Sequence, residues 1–421
     1  MRALAIVDGE HYPPVVRAAL EELPYEFVVA HLVGGTEKLR AGADYGVPVA
    51  ADLDAAIAEF EPELVVDLSD EPVLGPERRF RTASRVLARG LPYLGADFRL
   101  EPPTFLPCPR PSLAVIGTGK RVGKTAVTGY LAQLFAAERE VVVVAMGRGG
   151  PPEPELVELP PTLERLLELS RAGRHAASDY LETAALAQVP TVGCTRCGGG
   201  LAGMPAASNV EAGLELALAQ SPDLLIFDGS GAAIPPVATA KRVLVAGANQ
   251  PPELVAGYLN TYRILISDLV LLTLCEDGAG HEQLVRAVRE VKNVRVVPTV
   301  LRPRPVEDVS GRRVAFFTTA PAAAHEPLAR HLREAYGADV VHVSGNLARR
   351  DALAAELERV EAELYLVEIK AAAIDVVAEA AARAGIRVVF ADNDVLPLDA
   401  ALDLEAELRA LAEAAAEPIA T

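Results

Sequence analysis

Tryptophan is absent from this chain of 421 residues, methionine occurs 3 times and cysteine 4 times. So few cysteines cannot form a disulfide framework in a chain of this length, which favours a reducing compartment. The amino-terminal apolar stretch Ala3–Val7 is too short for a secretory signal, and Asp8 ends it. A longer apolar stretch, Ile264–Cys275, is interrupted by Asp268 and is too short to span a bilayer. These absences predict a cytoplasmic protein with no membrane partner.

Positive charge is also scarce, because 40 Lys and Arg residues stand against 58 Asp and Glu residues, a formal net charge of -18. An acidic surface repels nucleic acid phosphates, so the composition disfavours DNA or RNA as a partner. A bound anion must instead be held by locally concentrated Lys, Arg and backbone N–H groups. Hydrophobic residues make up 51% of the chain, enough for the cores of two or three domains.

Strand-like and helix-like segments alternate along the chain, which is the pattern of α/β layers with mostly parallel sheets. Two breaks interrupt this pattern, the proline-rich segment Glu101–Pro111 and the weaker segment Arg302–Arg313. We therefore predict an amino-terminal α/β domain of residues 1–106, a central domain of residues 107–305 and a small carboxyl-terminal α/β domain of residues 306–421. The two flanking domains are predicted to be Rossmann-like.

A glycine-rich loop, GTGKRVGKT, follows the apolar segment Ser112–Ile116 and opens a helix that we predict to run from Lys124 to about Ala137. Backbone N–H groups at a helix start bind phosphate, a Lys reaches the terminal phosphates, and a Ser or Thr hydroxyl ligates Mg²⁺. The alternative, a glycine turn without a ligand, does not account for strand, loop and helix coinciding. We therefore predict a P-loop NTPase domain that binds ATP. The predicted nucleotide-binding residues are Gly117, Thr118, Gly119, Lys120, Arg121, Val122, Gly123, Lys124, Thr125 and Ala126.

The loop departs from the common P-loop consensus, whose first glycine would fall at Thr118. In this variant it resembles the loop of dethiobiotin synthetase and related synthetases. Lys120 and Arg121 add two cations inside the loop, which can neutralise charge during phosphoryl transfer. Together with Lys124 they are the predicted catalytic cations.

The segment DLLIFDGSG brings Asp228 to the end of an apolar strand, where α/β sheets bind their ligands. A carboxylate at this position of a P-loop site holds Mg²⁺ directly or through water. We therefore predict Asp228 as a catalytic carboxylate and, with Thr125, as the metal site. The alternative is an ordinary Asp-Gly turn.

Two further glycine-rich loops carry an arginine each and are predicted to bind the substrate. MGRGGPPEPE follows the Val-rich strand Val141–Ala145, and GCTRCGGGLAG follows a predicted short strand, Thr191–Gly193. Cys194 and Cys197 have the spacing of a zinc pair, but the sequence has no second pair, so an anion-binding nest is favoured over a metal or redox site. The predicted substrate residues in these loops are Arg148, Gly149, Arg196, Gly198, Gly199 and Gly200.

A third candidate segment, VDGEHYPP, ends the first strand of the chain and contains Asp8 and His11. Both are predicted substrate-binding residues because they lie at a strand end, although a histidine there is as often structural. Asn249, after a later strand, is a candidate contact to the adenine base.

The segments IVDGEHYPPV, GTGKRVGKTAVTGYLA, MGRGGPPEPE, CTRCGGGLAG and DLLIFDGSG, in this order, resemble the cyclic 2,3-diphosphoglycerate synthetase family. The resemblance implies an enzyme that uses ATP and Mg²⁺ to close an intramolecular pyrophosphate in 2,3-diphosphoglycerate, releasing ADP and phosphate. The product of that family is an archaeal solute associated with the heat stability of proteins. The implied partner is a small phosphorylated substrate, and a homodimer is a candidate assembly.

Two alternatives stay open from the sequence. One is another ATP-dependent kinase or ligase on a dethiobiotin-synthetase-like core, although such an enzyme would not need the amino-terminal domain or the CTRCGGGLAG loop. The other is a regulatory P-loop ATPase switch, which would yield no small-molecule product in a turnover assay.

Overall fold

The computed structural model describes residues 1–35, 43–276, 280–369 and 373–416 of the chain. They form two units that alternate along the sequence. The first unit comprises Met1–Thr104, Pro251–Ile266 and Arg286–Asn293, and the second comprises Phe105–Gln250, Ser267–Val285 and Val294–Thr421. Strands and helices alternate in both, which confirms the predicted α/β class. The division into three domains stays a prediction.

Residues 1–104 form a mostly parallel sheet with short connections. Its elements are β1 (Arg2–Val7), α1 (Pro13–Glu22), β2 (Glu26–Leu32), β3 (Val49–Ala50), α2 (Leu53–Phe60), β4 (Leu64–Asp67), α3 (Pro76–Ala88), β5 (Tyr93–Leu94) and β6 (Arg99–Leu100). The strand order is β3-β2-β1-β4-β5-β6, and only β5 and β6 pair antiparallel. Strands β2 and β3 lie on one side of β1, and β4 lies on the other. In such a sheet the expected ligand position is beyond the carboxyl ends of the two strands where the order reverses, here β1 and β4.

Helix α1 shows how local chemistry sets these elements. Pro13 and Pro14 occupy its first positions, where a missing backbone N–H costs nothing. Val16 and Leu20 are one turn apart and buried, and they pack into the cluster formed by the apolar residues of β1.

The phosphate loop lies in residues 105–305, which supply most of the second unit. The elements are β7 (Leu106–Pro107), β8 (Ser112–Gly117), α4 (Lys124–Ala136), β9 (Val141–Gly147), β10 (Glu155–Val157), α5 (Leu163–Arg171), α6 (Asp179–Ala187), β11 (Thr191–Cys197), β12 (Ala207–Ser208), α7 (Val210–Leu218), β13 (Leu224–Gly229), β14 (Val237–Ala238), β15 (Lys241–Gly247), α8 (Pro252–Val255), α9 (Asn260–Leu265), β16 (Leu269–Thr273), α10 (His281–Val291) and β17 (Arg295–Pro305). Helices α8 and α9 belong to the first unit.

The remaining elements continue the same alternation. They are β18 (Arg313–Phe317), a short 3₁₀ helix (Ala322–Ala324), α11 (His325–Tyr336), β19 (Asp339–Ser344), α12 (Arg350–Leu357), β20 (Leu364–Glu368), a π-helical turn (Ala373–Val377), α13 (Ala378–Ala384), β21 (Arg387–Pro397) and α14 (Leu404–Ala414).

One continuous sheet runs through the second unit in the order β10-β11-β9-β13-β8-β15-β16-β17-β21-β20-β18-β19, with β12 paired to β11. Antiparallel pairs occur at β10–β11, β11–β12 and β17–β21, and the other pairs are parallel. The predicted mostly parallel sheet is therefore confirmed. Its consequence is that the carboxyl ends of β8, β9, β11, β13 and β15 meet at one edge.

Strand β17 continues where the sequence predicts a break. Its residues as far as Pro305 pair antiparallel with β21, so the first part of the predicted break is strand. Proline lacks an N–H, but only β21 pairs with this part of β17. The N–H of Val306 points to β21. Because the backbone N–H groups of successive strand residues point to opposite sides, the nitrogens of Pro303 and Pro305 face the side without a partner strand.

Helix α4 is enclosed because it packs between the central sheet and the last helix. Val127, Leu131 and Phe135 of α4 belong to the same apolar cluster as Leu404 and Leu408 of α14. A helix buried this way has no wide polar face. Among the described residues, no helix combines the length and apolarity needed to cross a membrane.

Candidate active site

The phosphate loop connects a fully buried strand to a mostly buried helix. Strand β8 is buried along its whole length, and α4 begins at Lys124, directly after Gly123. Gly123 has a φ of 79°, in the left-handed region, and a Cβ there would lie 2.7 Å from Cδ1 of Leu301. The positive φ favours glycine here, and a larger residue would also have to displace the Leu301 side chain.

Two polar side chains from later in the chain hydrogen-bond to the phosphate loop. Thr273, at the end of β16, donates its hydroxyl to the carbonyl oxygen of Val122 at 2.6 Å. Oε1 of Gln250 accepts hydrogen bonds from the Thr118 hydroxyl at 2.5 Å and from the Gly247 N–H at 3.2 Å. Sequence reasoning missed Thr273 and Gln250, because neither belongs to a recognisable motif.

Lys124 and Asp228 form a buried ion pair in the site. Nζ of Lys124 lies 2.5 Å from Oδ1 of Asp228 and also donates to the carbonyl oxygen of Gly229. The two side chains are 7% and 3% exposed. Strand β13 brings Asp228 here because it pairs with β9 and β8, placing Asp228 opposite Ala145 and Val115. The loop and the carboxylate, far apart in sequence, thus meet at the sheet edge.

The other cations of the loop point away from the core. Lys120 and Arg121 are exposed, and Arg121 has a φ of 59°, which is unusual for a residue with a side chain. Thr125 is half-buried in the first turn of α4, and Ala126 behind it is buried.

Arg196 reaches from strand β11 to the segment that follows β13. Its guanidinium donates to the carbonyl oxygens of Ser230 at 2.7 Å and of Gly198 at 2.6 Å. A Cβ on Gly231 would lie 3.8 Å from Nη2 of Arg196 and 3.7 Å from Cγ of Lys120. Arg196 and the phosphate-loop residue Lys120 therefore border the same glycine.

The prediction that β11 ends at Gly193 is wrong, because the strand continues through Cys197. Its last two residues pair with β12, Arg196 opposite Ser208 and Cys197 opposite Ala207. Arg196 thus lies on a strand and not in the glycine loop. The predicted residues Gly198, Gly199 and Gly200 follow it in the loop, and Gly198 has a φ of 67°.

Arg148 lies in the loop after β9 and is exposed. No acceptor among the described residues hydrogen-bonds to its guanidinium. Burial, and then the charge of Arg148, lower the pKa of Arg196, so two cations from separate elements act on each other here. Gly149 packs on His175, since a Cβ on Gly149 would lie 3.2 Å from Cγ of His175. Sequence reasoning also missed His175.

Asp179, to which the sequence assigned no role, lies among these charges. It is the first residue of α6, and a Cβ on Gly147 would lie 3.1 Å from its Oδ2. Burial, and then the charge of Asp228, raise the pKa of Asp179, while Lys124 and Arg148 lower it. Its only signal in the sequence is a carboxylate at a helix start, which many helices carry.

The cysteine pair occupies two different environments. Cys194 is 0% exposed and its Sγ lies against Gly213 of α7, whereas Cys197 is exposed. Burial raises the pKa of Cys194 to about 12. A thiol of this kind is a packing residue at neutral pH.

Asp8 and His11 lie together in the first unit, at the end of β1. Oδ1 of Asp8 accepts from His11 Nδ1 at 2.8 Å, and Oδ2 accepts from the N–H of Asp70 at 2.8 Å. Burial acts to raise the pKa of Asp8, but these hydrogen bonds outweigh it and lower that pKa below 3.8. Nε2 of His11 is 3.5 Å from Oδ2 of Asp70. Asp8 therefore holds two loop segments and orients the imidazole.

Family models for three domains of cyclic 2,3-diphosphoglycerate synthetase match the chain in order. The N-terminal domain matches residues 2–101, the P-loop domain residues 112–301 and the C-terminal domain residues 305–394.

Full-length relatives carry the same name. A cyclic 2,3-diphosphoglycerate synthetase from Rubrobacter xylanophilus is 54% identical, over 96% of this chain and 96% of its own. Those from Thermococcus gammatolerans and Methanothermus fervidus are 45% and 41% identical, over 96% and 94% of this chain and equal shares of theirs. The resemblance inferred from the motifs is confirmed, and the chain belongs to the cyclic 2,3-diphosphoglycerate synthetase family.

Proposed function

We propose that this chain uses ATP to close an intramolecular pyrophosphate in 2,3-diphosphoglycerate, releasing the cyclic product, ADP and phosphate. Family membership over nearly the whole chain supports ATP-dependent synthesis. The observation that carries the proposal is that Arg196 borders the same glycine as Lys120 of the phosphate loop. A cation suited to a second phosphorylated molecule is thus beside the loop for ATP, as transfer between the two requires.

The nucleotide is assigned to Gly117–Ala126. The N–H groups of the loop and the start of α4 suit the phosphates, and Lys124 suits the terminal phosphate. Lys120 and Arg121 are exposed on the loop, where they can neutralise charge on the transferring group. Oε1 of Gln250 accepts from the hydroxyl of the buried Thr118, which helps to hold the loop.

Mg²⁺ is assigned to Thr125 and Asp228, whose oxygen donors fit a hard cation. Among the described residues, no group of three or more His, Cys, Asp or Glu side chains is arranged to hold a metal. That suits Mg²⁺, which usually keeps several waters and takes one or two carboxylates together with substrate phosphates. When bound, the ion neutralises charge on the phosphates.

The acceptor carries two phosphates and a carboxylate, so it needs several separate anion contacts. Arg148 and Arg196 can each grip an anion through two N–H donors. Gly198, Gly199 and Gly200 present backbone N–H groups in the adjoining loop. The role of Asp8 and His11 of the first unit in substrate binding stays a prediction.

The chemistry proceeds in two transfers. An oxygen of one substrate phosphate attacks the γ-phosphorus of ATP, and ADP leaves. An oxygen of the other substrate phosphate then attacks the newly activated substrate phosphorus and expels the transferred group as inorganic phosphate. Neither transfer needs a covalent enzyme intermediate, so Lys124 and the arginines act by positioning and neutralising charge.

Acceptor-dependent release of ADP tests this proposal. With ATP and Mg²⁺, 2,3-diphosphoglycerate should stimulate ADP formation, whereas 3-phosphoglycerate, which lacks the second phosphate, should not support cyclisation. A slow ATPase that ignores both compounds would instead identify a regulatory switch. We further propose a homodimer, which gel filtration with light scattering would test, and a cytoplasmic location, which cell fractionation would test.

A further inference from the structure

The carboxylate of Asp179 has no hydrogen-bond or ion-pair partner among the described residues. Asp179 is half-buried, and carboxylates with reduced access to water are normally paired, because an unpaired charge loses solvation. Asp67 and Asp392 of this chain follow that rule. Asp67 accepts from Arg79 at 2.9 Å, and Asp392 accepts from Arg304 at 2.7 Å.

The position of Asp179 places it beside Asp228. Its Oδ2 lies against Gly147, at the end of β9. The residue before this glycine, Met146, pairs with Gly229, which directly follows Asp228. Neighbouring strands are about 4.8 Å apart, so two carboxylates approach the same edge from α6 and from β13. Two like charges so placed repel each other, and Lys124 and Arg148 offset this only in part, since the pKa of Asp179 is still raised.

A purely structural role for Asp179 would be its charge at the start of α6, which stabilises a helix equally well from an exposed position and does not require a second carboxylate nearby. A role as a general base is also unnecessary, because a phosphate acceptor has a second pKa of about 6 and is largely dianionic at pH 7. The remaining role for Asp179 that agrees with its position is to attract a cation.

We propose that Asp179 is a second carboxylate ligand of the divalent cation that accompanies ATP, together with Asp228 and Thr125. An all-oxygen set of two carboxylates and one hydroxyl, completed by phosphates and water, is what Mg²⁺ prefers. The inference rests on the proposed ATP site but does not depend on the identity of the acceptor.

A cation ligand at Asp179 makes nucleotide binding depend on the cation. Without the cation, Asp179 and Asp228 repel the phosphates of ATP; with it, the same carboxylates hold the metal–nucleotide complex. Nucleotide affinity should therefore depend steeply on the divalent cation, and removing either carboxylate should weaken that dependence.

Binding of Mn²⁺, which replaces Mg²⁺ and is visible by electron paramagnetic resonance, tests the proposal on the full-length chain. Free Mn²⁺ would be titrated with a non-hydrolysable ATP analogue in the wild type, in Asp179→Asn and in Glu211→Gln. Glu211 is the matched control, an exposed carboxylate in the first turn of α7. Nucleotide affinity in EDTA is measured in parallel.

Asp179→Asn should weaken Mn²⁺ binding by at least roughly 10-fold, the lower end of the losses seen when metal sites are disturbed. Its nucleotide affinity in EDTA should be equal or higher, and Glu211→Gln should match the wild type in both. Unchanged Mn²⁺ affinity in Asp179→Asn would overturn the proposal.

If Asp179→Asn does not fold, Asp179→Glu keeps the charge and displaces it by one methylene. Weakened Mn²⁺ binding is expected there too, and wild-type affinity would again overturn the proposal. None of these titrations contains an acceptor, so failure to form the cyclic product would count separately, against the proposed function.

Discussion

The ammonium group of Lys124 lies 2.5 Å from a carboxylate oxygen of Asp228, and both side chains are almost fully buried. The pair joins the phosphate loop to the neighbouring strand β13. It also means that Lys124 can contact a phosphate only by leaving or sharing Asp228. A cation that binds Asp228 frees Lys124 for a phosphate, and a phosphate that binds Lys124 frees Asp228 for a cation. Each binding event should therefore increase the affinity for the other.

Asp228→Asn separates these two effects. The substitution keeps the size of the side chain and removes its charge, so Lys124 is released and one repulsive charge near the phosphates is lost. We expect nucleotide affinity without Mg²⁺ to be retained or increased, and Mg²⁺-dependent turnover to be lost. Calorimetric titration with and without Mg²⁺ measures nucleotide affinity, and an assay of ADP release measures turnover. A variant whose Mg²⁺ dependence equals that of the wild type would make Asp228 a structural residue.

Arg148→Lys and Arg196→Lys should each raise the KM for the phosphorylated acceptor and leave ATP affinity nearly unchanged. Lys keeps the charge but cannot reproduce two-donor recognition of phosphate. Loss of one charged hydrogen bond, ~1.5–3 kcal/mol, corresponds to roughly 10- to 150-fold.

The two substrates are titrated separately in these variants. Arg165→Lys is the control, because Arg165 is exposed on helix α5 and pairs with Glu168 at 3.1 Å. An effect confined to ATP would assign the arginines to the nucleotide, and no effect on either substrate would leave both arginines with a structural role.

Thiol labelling should distinguish the two cysteines of the CTRC segment. The thiolate is the reactive form, and burial raises the pKa of Cys194 to about 12, so it should resist iodoacetamide at pH 7.5. Exposed Cys197 should react. Mass-spectrometric mapping reads the result, and labelling of the denatured chain is the control. Elemental analysis should also find no stoichiometric zinc or iron; about one metal per chain would contradict this assignment.

Asp8 should make the stability of the first unit depend on pH. Its pKa is lowered in the folded chain, so the stability it contributes is present above the unfolded value of 3.8 and is lost as pH falls through the folded value. Asp8→Asn should cost about 1–3 kcal/mol at pH 7, and the difference from the wild type should shrink below about pH 4. Denaturant unfolding across this range tests it, with exposed Asp97→Asn as the control. A difference independent of pH would exclude a role for the charge.

Local signals predicted the nucleotide part of this architecture closely. Strand β8 extends one residue beyond the predicted Ser112–Ile116, and α4 ends at Ala136 where Ala137 was expected. An apolar run, a glycine turn and a helix start are all encoded within a few neighbouring residues, so they can be recognised without tertiary information.

The missed features depend on distant pairing. Strand β11 runs on through Cys197 because β12, from later in the chain, pairs with it. Thr273 and Gln250 reach the phosphate loop only after the sheet has assembled, and Asp179 arrives on a helix with no motif. Sequence periodicity does not encode such contacts, since it records the face of an element and not its neighbours.

Phosphorus NMR of 2,3-diphosphoglycerate incubated with ATP, Mg²⁺ and the purified protein tests the central claim most directly. We predict that the two phosphomonoester resonances of the substrate disappear while pyrophosphate resonances of a cyclic diphosphoglycerate grow, with one ADP and one inorganic phosphate formed per molecule of product. Conversion of ATP to ADP and phosphate with both phosphomonoester resonances of the substrate unchanged would contradict the account.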